Sequence, residues 1–285
     1  MTSREYILSQ IRGSLRRSVE MPDLTSINPV EYQDRIAKFM ETVAQVGGHA
    51  VLLEDGADIL DIGGESTRPG AAEVFWREEC ARVLPVVKEM KKLFPDCVIS
   101  VDTRHAEVAR AVLDEGAGII NDVSMLRRSP EMAETVAGYG AALVLNHSRG
   151  TPEDMQKEEY CTYPGGVVRE VAAELAAAES IALEAGVKKE NIILDPGIGF
   201  SKTPEQCWEI LRSVCDIASA ERLLVGVSRK SFLGVLCGEK IAERRLGCTL
   251  AVELELAARN IGIIRTHAVR ELKNAVKAMK YFRGL

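Results

Sequence analysis

Ionisable and amide side chains end a series of short apolar runs along this chain. They are Asp61 and Glu65, Asp102, Asn121 and Asp122, His147, Asp195, Ser228 and Lys230, and Arg265 and His267. An acid after a strand more often caps the next helix than it binds a ligand. Several acids and amides at one opening instead suit a nitrogen heterocycle, whose amino and ring N–H groups can donate parallel hydrogen bonds to one carboxylate. The group as a whole therefore predicts a ligand site.

Basic residues follow the last two runs and the first one. Lys230, Arg265 and His267 stand near the end of the chain, where the loops of a barrel often bind phosphate. Arg68 follows paired glycines in GGESTRPG and can grip phosphate oxygens through two parallel hydrogen bonds. The glycines alone would indicate only an ordinary turn with a solvated arginine. Together with the acids, these basic residues predict that the ligand site binds an anion beside the nitrogen heterocycle.

The runs that carry these residues have the length and apolarity of buried parallel strands. They span 57–63, 97–102, 118–123, 142–147, 191–197, 223–228 and 262–267, with helical stretches between them. Thr203-Pro204-Glu205-Gln206 predicts a capping box, and Ser129 an N-cap. An open doubly wound sheet collects its ligands at one switch point, whereas a barrel gathers the ends of all its strands. Polar endings on all seven runs favour an α/β fold of the (β/α)8 TIM-barrel type.

A barrel needs eight strands, and the sequence offers seven. The first strand is missing, or is replaced by an atypical helical N-terminal segment, because residues 31–45 read as helix and Gly47-Gly48 as its end. We therefore predict a helical segment over 1–48 and a barrel domain over 49–285.

Composition excludes several classes of function. The chain has 285 residues, a net charge of −6 and 27% charged residues spread along its length, which argues against a nucleic-acid binder. No run is long and apolar enough to predict a membrane span, and the N-terminus is not that of a secretory signal. The seven cysteines form no CxxC motif, so we expect reduced, mostly buried thiols in a cytoplasmic protein.

The runs and their flanking loops resemble the dihydropteroate synthase family of pterin-binding TIM barrels. The matching segments are DILDIGGESTRPGA, ISVDT, GIINDVS, NHSRGTPEDMQ, ILDPGIGFSKT, VGVSRKSFLG and IIRTHAV, in the family's order from about residue 49 to 285. The resemblance implies a homodimeric enzyme that joins 6-hydroxymethyl-7,8-dihydropterin diphosphate to p-aminobenzoate in folate biosynthesis and releases pyrophosphate with the help of Mg2+.

The resemblance also implies roles for individual residues. Asp102, Asn121, Asp195 and Lys230 would hold the pterin; Arg68, Arg265 and His267 would hold the diphosphate; and Thr67, Pro69, Phe200 and Ser231 would border the p-aminobenzoate site. Lys230, Arg265 and His267 are the expected catalytic residues. No metal ligand is assigned, because the family's metal-contacting Asn belongs to its first strand.

Two features depart from the family. Its first strand and loop read roughly NVTPDSFSDGG, and nothing like that stands in residues 1–50. Ala268 occupies the position after His267 where Asp is usual. Residues 4–48 instead resemble, less specifically, the N-terminus of LUD-family lactate-utilisation proteins. Loss of the first strand and loop would be expected to impair the activity.

Two other functions fit part of the pattern. One is a pterin-dependent methyltransferase that acts with a corrinoid partner, although STRPG and SRKS argue against it. The other is a non-catalytic pterin-binding protein, which the loss of the first loop would allow. Three measurements distinguish these hypotheses. Formation of dihydropteroate supports the synthase, methyl transfer supports the methyltransferase, and binding of the ligand without product supports the non-catalytic protein.

Overall fold

Seven β-strands and eight α-helices make up most of residues 55–284, the part of the chain that this computed structural model describes. The strands are β1 (Ile59–Gly63), β2 (Val98–Asp102), β3 (Ile119–Asp122), β4 (Ala142–Asn146), β5 (Ile192–Asp195), β6 (Leu224–Gly226) and β7 (Ile263–Arg265). The helices are α1 (Trp76–Leu93), α2 (Ala106–Asp114), α3 (Met132–Tyr139), α4 (Val167–Glu184), α5 (Pro204–Arg212), α6 (Ser231–Cys237), α7 (Leu246–Ala258) and α8 (Val269–Phe282). One helix follows each strand, except that α6 and α7 both lie between β6 and β7.

All neighbouring strands pair in parallel and in chain order. β1 to β5 form one ladder and β6 pairs with β7, while a single bridge between Leu194 and Leu223 joins the two groups. β2 to β5 are buried at every position, as expected for strands that are covered on both faces. The near-continuous apolar runs of the sequence are explained by this burial.

A small apolar cluster shows how the sheet closes on itself. It contains at least one residue from each of the seven strands: Ile59, Val98, Ile119, Ala142, Val144, Ile193, Leu224 and Ile263. A separate, larger cluster lies between the strands and the helices. In an open sheet, strands about 4.8 Å apart would place the first and seventh about 29 Å from each other. Contact between all seven in one interior requires a barrel, as the sequence predicts.

The described part of the barrel has one place for a further strand. Within residues 55–284, β1 and β7 pair on one side only, so the expected eighth strand belongs between them. The segment that would supply it, and the helix expected within residues 1–48, lie outside the described residues. The boundary at residues 48 and 49 therefore stays a prediction.

The two predicted helix caps have different outcomes. The capping box at the start of α5 is confirmed: Thr203 Oγ1 accepts from Gln206 N at 3.3 Å, and Gln206 Oε1 accepts from Thr203 N at 2.9 Å. The N-cap at Ser129 is wrong, because α3 begins at Met132. The Ser129 hydroxyl instead accepts from Ala106 N at 3.3 Å, at the start of α2. The Ser129 hydroxyl therefore binds the first turn of α2, which is close in space, and not that of α3, which follows it in the sequence.

The expectation of seven reduced, mostly buried cysteines is wrong. Cys237 and Cys248 form a disulfide between α6 and α7. Of the five free thiols, only Cys207 is buried. None of the helices in residues 55–284 combines the length and apolarity that crossing a membrane requires.

Candidate active site

The ends of β2 and β3 place two of the predicted ligand-binding side chains next to each other. Asp102 and Asn121 are register partners, and both are buried. Asp102 Oδ1 and Asn121 Oδ1 make no hydrogen bond within the described residues. Asn146, at the end of β4, presents a third such oxygen, which the sequence analysis did not single out. Buried acceptors are nearly always satisfied in folded proteins, so these oxygens indicate a ligand that donates hydrogen bonds.

Asp122 gives a useful contrast with its neighbour Asn121. Its Oδ1 accepts from Ser124 N at 2.8 Å and from Ser124 Oγ at 2.6 Å, and its Oδ2 accepts from Leu126 N at 2.7 Å. This carboxylate holds the turn after β3 and has the structural role that most acids in this position have. Asp122 is therefore not part of the site.

Arg265 bridges the two edges of the described sheet. Its Nε donates to Asp61 Oδ2 at 2.6 Å, and its Nη2 lies 3.7 Å from Asp102 Oδ2. Asp61 also accepts from Ser100 Oγ at 2.6 Å and from Asn121 Nδ2 at 3.3 Å. Attraction to Asp61 is the largest cause that keeps the pKa of Arg265 above its usual value. Arg265 is thus a fixed cation beside the unpartnered oxygens of Asp102 and Asn121.

The acid of β2 has an unusual pKa as a result of this packing. Burial, and next the neighbouring carboxylate of Asp61, raise the pKa of Asp102 well above its usual value, while Arg265 opposes them. Asp61 was noted in the sequence as a strand-end acid but was not assigned to the site. Its role appears only in three dimensions, because β1 and β7 are far apart along the chain.

Asp195 and Lys230 form the other half of the site. Burial raises the pKa of Asp195, and Lys230 is the main opposing influence. Burial also lowers the pKa of Lys230 to about 8, while attraction to Asp195 raises it. Lys230 Nζ donates to Ile198 O at 2.5 Å and lies 4.9 Å from the centre of the Phe200 ring. Arg265 is a common electrostatic neighbour of both residues, which connects this pair to the Asp61 group.

The turn after β5 admits only glycine at position 197. Gly197 has a φ of 65°, and a Cβ there would lie 1.8 Å from His147 O. Gly197 N in turn donates to Asp195 Oδ1 at 2.7 Å. The DPG sequence therefore fixes one oxygen of Asp195.

His267 lies beside the loop after β6. Its backbone N donates to Ser228 Oγ at 3.2 Å, and its Nδ1 lies 3.0 Å from the same oxygen. Ser228 precedes Arg229 and Lys230, so this contact joins the loops that follow the last two strands. The predicted anion-binding residues Arg265 and His267 are two positions apart at the end of β7.

Thr67, Arg68 and Pro69 lie in the loop that follows β1. Arg68 and Pro69 are exposed, and Thr67 is half-buried. Gly70 N donates to Pro152 O at 2.8 Å, which holds this loop against the one after β4. Within residues 55–284, no hydrogen bond or ion pair joins these three side chains to the buried group described above. Ser231, the first residue of α6, is also exposed.

A buried ion pair that the sequence analysis missed anchors this loop. Glu65 accepts from Arg104 Nε at 2.8 Å and from Arg104 Nη2 at 2.7 Å, and its Oε1 also accepts from Val74 N at 2.9 Å. Glu65 thus binds both the barrel and the far end of the loop. Arg104 directly follows ISVDT, but nothing in that position identified its partner.

A second missed cluster lies behind the end of β4. Lys202 Nζ lies 2.9 Å from His147 Nδ1 and donates to Phe200 O at 2.9 Å, while His147 Nε2 lies 3.2 Å from Glu174 Oε2. Burial lowers the pKa of His147 to about 3 and that of Lys202 to about 7. A neutral His147 can therefore accept at Nδ1 and face Glu174 with Nε2–H. This cluster holds the backbone carbonyl of Phe200 in place.

The predicted Mg2+ does not fit the described residues as a metal held by the protein alone. Residues 55–284 contain no group of three or more His, Cys, Asp or Glu side chains that could hold a metal ion. One oxygen each of Asp61 and Asp102, at the barrel opening, lies beside the cation of Arg265.

Comparison with known proteins identifies the family of this chain. The sequence profile of the pterin-binding enzyme family matches residues 26–267, which includes part of the segment that the sequence analysis separated from the barrel. The chain is 40% identical over 236 residues to the dihydropteroate synthase of Mycobacterium leprae, covering 80% of this chain and 81% of that protein. It is 38% identical over 227 residues to that of Synechocystis sp., covering 79% and 77%.

A solved structure extends the similarity to the fold. The crystal structure of Burkholderia cenocepacia dihydropteroate synthase complexed with 7,8-dihydropteroate superposes with a TM-score of 0.75 at 34% identity, over 88% of each chain. The profile match and the structural match each cover most of the chain. The chain belongs to the family of pterin-binding enzymes.

Proposed function

We propose that this chain is a dihydropteroate synthase, a transferase of folate biosynthesis. It joins 6-hydroxymethyl-7,8-dihydropterin diphosphate to p-aminobenzoate and releases pyrophosphate. The observation that carries the proposal is the pair of unpartnered buried oxygens on Asp102 and Asn121, beside the cation of Arg265. The ring N–H groups of a pterin can donate to these oxygens, and the attached diphosphate can bind the cation.

The pterin side of the proposal rests on four residues. Asp102 and Asn121 accept from the amino and ring N–H groups, and Asp195 accepts from the same ring edge. Lys230 neutralises Asp195 and donates toward the ring carbonyl. Hydrogen bonds to charged groups are the stronger kind, so Asp195 and Lys230 contribute most of the affinity.

The diphosphate side rests on Arg68, Arg265 and His267. When the carbon–oxygen bond to the diphosphate breaks, its electron pair leaves with the pyrophosphate. Fixed cations stabilise that charge as it develops and need no reorganisation during the step. Lys230, Arg265 and His267 are the residues that we propose as catalytic.

The second substrate binds on the open side of the pterin. Thr67, Pro69, Phe200 and Ser231 border the proposed p-aminobenzoate site. The aniline nitrogen attacks the exocyclic methylene carbon of the pterin and then loses a proton. Holding both reactants in one opening removes the entropic cost of their encounter, so no nucleophilic side chain is needed.

Three further properties remain predictions. Mg2+ is expected from the resemblance, and titration of the chelator-treated protein with Mg2+ checks the requirement. A homodimer is expected, and light scattering measures the mass. A cytoplasmic location is expected, and fractionation of cells that express the chain checks it.

Dihydropteroate formation from the two substrates tests the proposal. Full-length protein is incubated with both substrates, and product and pyrophosphate are measured together. Equal amounts of both support the synthase. Pterin diphosphate binding in a calorimeter without any product contradicts it and favours a non-catalytic binder. Transfer of a methyl group from methyltetrahydrofolate to a corrinoid protein contradicts it in favour of a methyltransferase.

A further inference from the structure

The turn between β6 and α6 contains a backbone conformation that its sequence does not favour. Lys230 N donates to Val227 O at 3.1 Å, which closes a four-residue turn with Arg229 in its third position. Arg229 has a φ of 58°, in the left-handed region. Glycine and asparagine are the usual residues in that region, because most other side chains are strained there. A strained residue persists only where the surrounding structure holds it, and such residues cluster at functional sites.

Both polar groups of the Arg229 backbone are held by side chains of one short segment. Arg229 N donates to Thr249 Oγ1 at 3.1 Å, and Arg229 O accepts from Arg245 Nη1 at 2.9 Å. Thr249 lies in the first turn of α7 and is 0% exposed, and Arg245 directly precedes this helix. Two side chains four positions apart therefore fix the peptide groups on both sides of the strained residue.

The Arg245 side chain is itself fixed by the loop after α6. Its Nε donates to Glu239 O at 3.0 Å, and its Nη2 donates to Lys240 O at 2.6 Å. Gly234 in α6 leaves room for the guanidinium, because a Cβ there would lie 2.6 Å from Arg245 Nε. One guanidinium thus binds three carbonyls, which its rigid set of donors allows and a lysine ammonium would not reproduce.

The turn determines where the Lys230 side chain starts. Lys230 directly follows Arg229 and precedes Ser231, the first residue of α6. Its Nζ reaches the loop after β5, where it donates to Ile198 O at 2.5 Å and lies 4.9 Å from the centre of the Phe200 ring. The stem of a lysine is flexible, so these contacts depend on the backbone from which it projects.

We propose that Arg245 and Thr249 are positioning residues for Lys230: they hold the strained turn at Arg229 that directs the Lys230 ammonium toward the loop after β5. When either side chain is removed, the left-handed conformation loses part of its support. The turn then relaxes, and the ammonium moves toward solvent. This inference rests on the proposed role of Lys230 in binding the pterin.

The pKa of Lys230 reports the position of its ammonium. In the packed site, burial lowers this pKa to about 8. The groups that face Lys230 are Asp195 from β5, Asp102 from β2 and Cys207 from α5, which raise the pKa, and Arg265 from β7, which lowers it. A lysine that leaves the site regains its hydration, so its pKa should rise toward the ordinary value of 10.5.

NMR of protein with 13C-labelled lysine measures this pKa without any substrate, and the spectrum of Lys230→Arg identifies the signal. Thr249→Val keeps the shape of the side chain but removes the hydroxyl, and Arg245→Met removes the guanidinium. Both variants should raise the pKa of Lys230 from about 8 toward 10.5. Thr249→Ser retains the acceptor for Arg229 N and should leave the pKa unchanged.

Two controls separate positioning from a general loss of stability. Burial also lowers the pKa of Lys202, to about 7, but Lys202 is held by His147 and Phe200 and not by α7. Its pKa should stay the same in the Thr249 and Arg245 variants. Arg244→Met makes the Arg245 substitution at the neighbouring exposed position and should leave both lysines unchanged.

A second substitution tests the strain directly. Asparagine adopts the left-handed conformation more readily than arginine, so Arg229→Asn should restore at least part of the low pKa of Lys230 in the Thr249→Val background. The proposal is overturned if folded Thr249→Val or folded Arg245→Met leaves the pKa of Lys230 unchanged, or if Lys202 shifts together with Lys230. Absence of any restoration by Arg229→Asn would also contradict it.

Binding of the pterin diphosphate connects this inference with the proposed function. By calorimetry at pH 7, Thr249→Val should bind it about 10-fold more weakly than Thr249→Ser, since a charged hydrogen bond from Lys230 is lost. Equally tight binding by the two variants would contradict the proposal. The lysine titration needs no substrate. If it behaves as expected but no dihydropteroate forms, the proposed function fails and the positioning role stands.

Discussion

Arg265 Nε lies 2.6 Å from Asp61 Oδ2, and this contact joins the first and last strands that the structure describes. The two residues are 204 positions apart in the sequence. The contact holds a cation at the barrel opening. In the proposed function the diphosphate shares Arg265 with Asp61, so we expect this pair to influence both the closure of the barrel and the affinity for the anion.

Replacing Asp61 by Asn should lower the free energy of unfolding by about 1 kcal/mol. The estimate is modest because the Arg265 side chain is 44% exposed and water screens the pair. Urea unfolding at pH 7 measures the change. Asp216→Asn, at an exposed position, serves as the control. An effect of equal size in both variants would show that the Asp61 contact does not stabilise the barrel.

Lys230→Ala and Asp195→Ala should each weaken binding of the pterin diphosphate. Each change removes a charged hydrogen-bond partner, which costs about 1.5–3 kcal/mol, or roughly 10- to 150-fold in affinity. Calorimetry with the pterin diphosphate gives the two values. If neither substitution alters the affinity, the pterin does not bind between these residues.

Binding of the pterin diphosphate should also depend on pH, because Lys230 titrates. Its pKa of about 8 means that the ammonium form is present below pH 8 and is lost above it. The affinity for the pterin diphosphate should therefore fall as the pH rises from 7 to 9. Lys230→Arg, which stays charged throughout, should lack this decline. An unchanged affinity across the range in the unmodified protein would exclude Lys230 as the titrating group.

His147 should make the protein less stable as the pH falls from 6.5 to 4.5. Its pKa is about 3 in the folded state against 6.5 when unperturbed, so the unfolded chain binds one more proton in this range. The free energy of unfolding should decrease by up to about 1.4 kcal/mol per pH unit. Below pH 4.5, Glu174, whose pKa is about 2, adds to the loss because its folded-state carboxylate resists protonation.

Chemical unfolding of His147→Gln over the same pH range checks this sign. The glutamine does not titrate, so the slope between pH 6.5 and 4.5 should flatten. The slope below pH 4.5 should become shallower but persist, since Arg149 still lowers the pKa of Glu174 after His147 is removed. An identical pH dependence in the two proteins would assign the acid sensitivity to other groups.

Arg104→Met should destabilise the protein strongly. The side chains of Arg104 and Glu65 are 6% and 3% exposed, and removal of one partner leaves a buried charge, which costs about 3–5 kcal/mol. Lys88→Met breaks the exposed pair with Glu115 and should cost at most about 1 kcal/mol. Melting temperatures compare the two variants. A small effect of Arg104→Met would show that the Glu65 pair does not anchor the loop after β1.

The sequence by itself determined the strands and led to the proposed type of ligand. Apolar runs of strand length alternate with amphipathic stretches, so local hydrophobicity was enough to locate β1 to β7. Polar residues at the carboxyl ends of parallel strands must lie at the same edge of the sheet, and this rule alone predicts that Asp102 and Asn121 lie together. The motifs around GGESTRPGA and SRKS identified the family for the same reason: they are local.

Only the tertiary structure decided which of these polar groups are already hydrogen-bonded to other parts of the protein. The same acid can cap a turn or await a ligand, and Asp122 and Asp102 differ only in what surrounds them. Asp61 meets Arg265 only through the closure of the barrel. Hydrogen bonds, burial and pKa values depend on distances between segments that are remote in the chain, and a pattern read along the sequence contains no such distances.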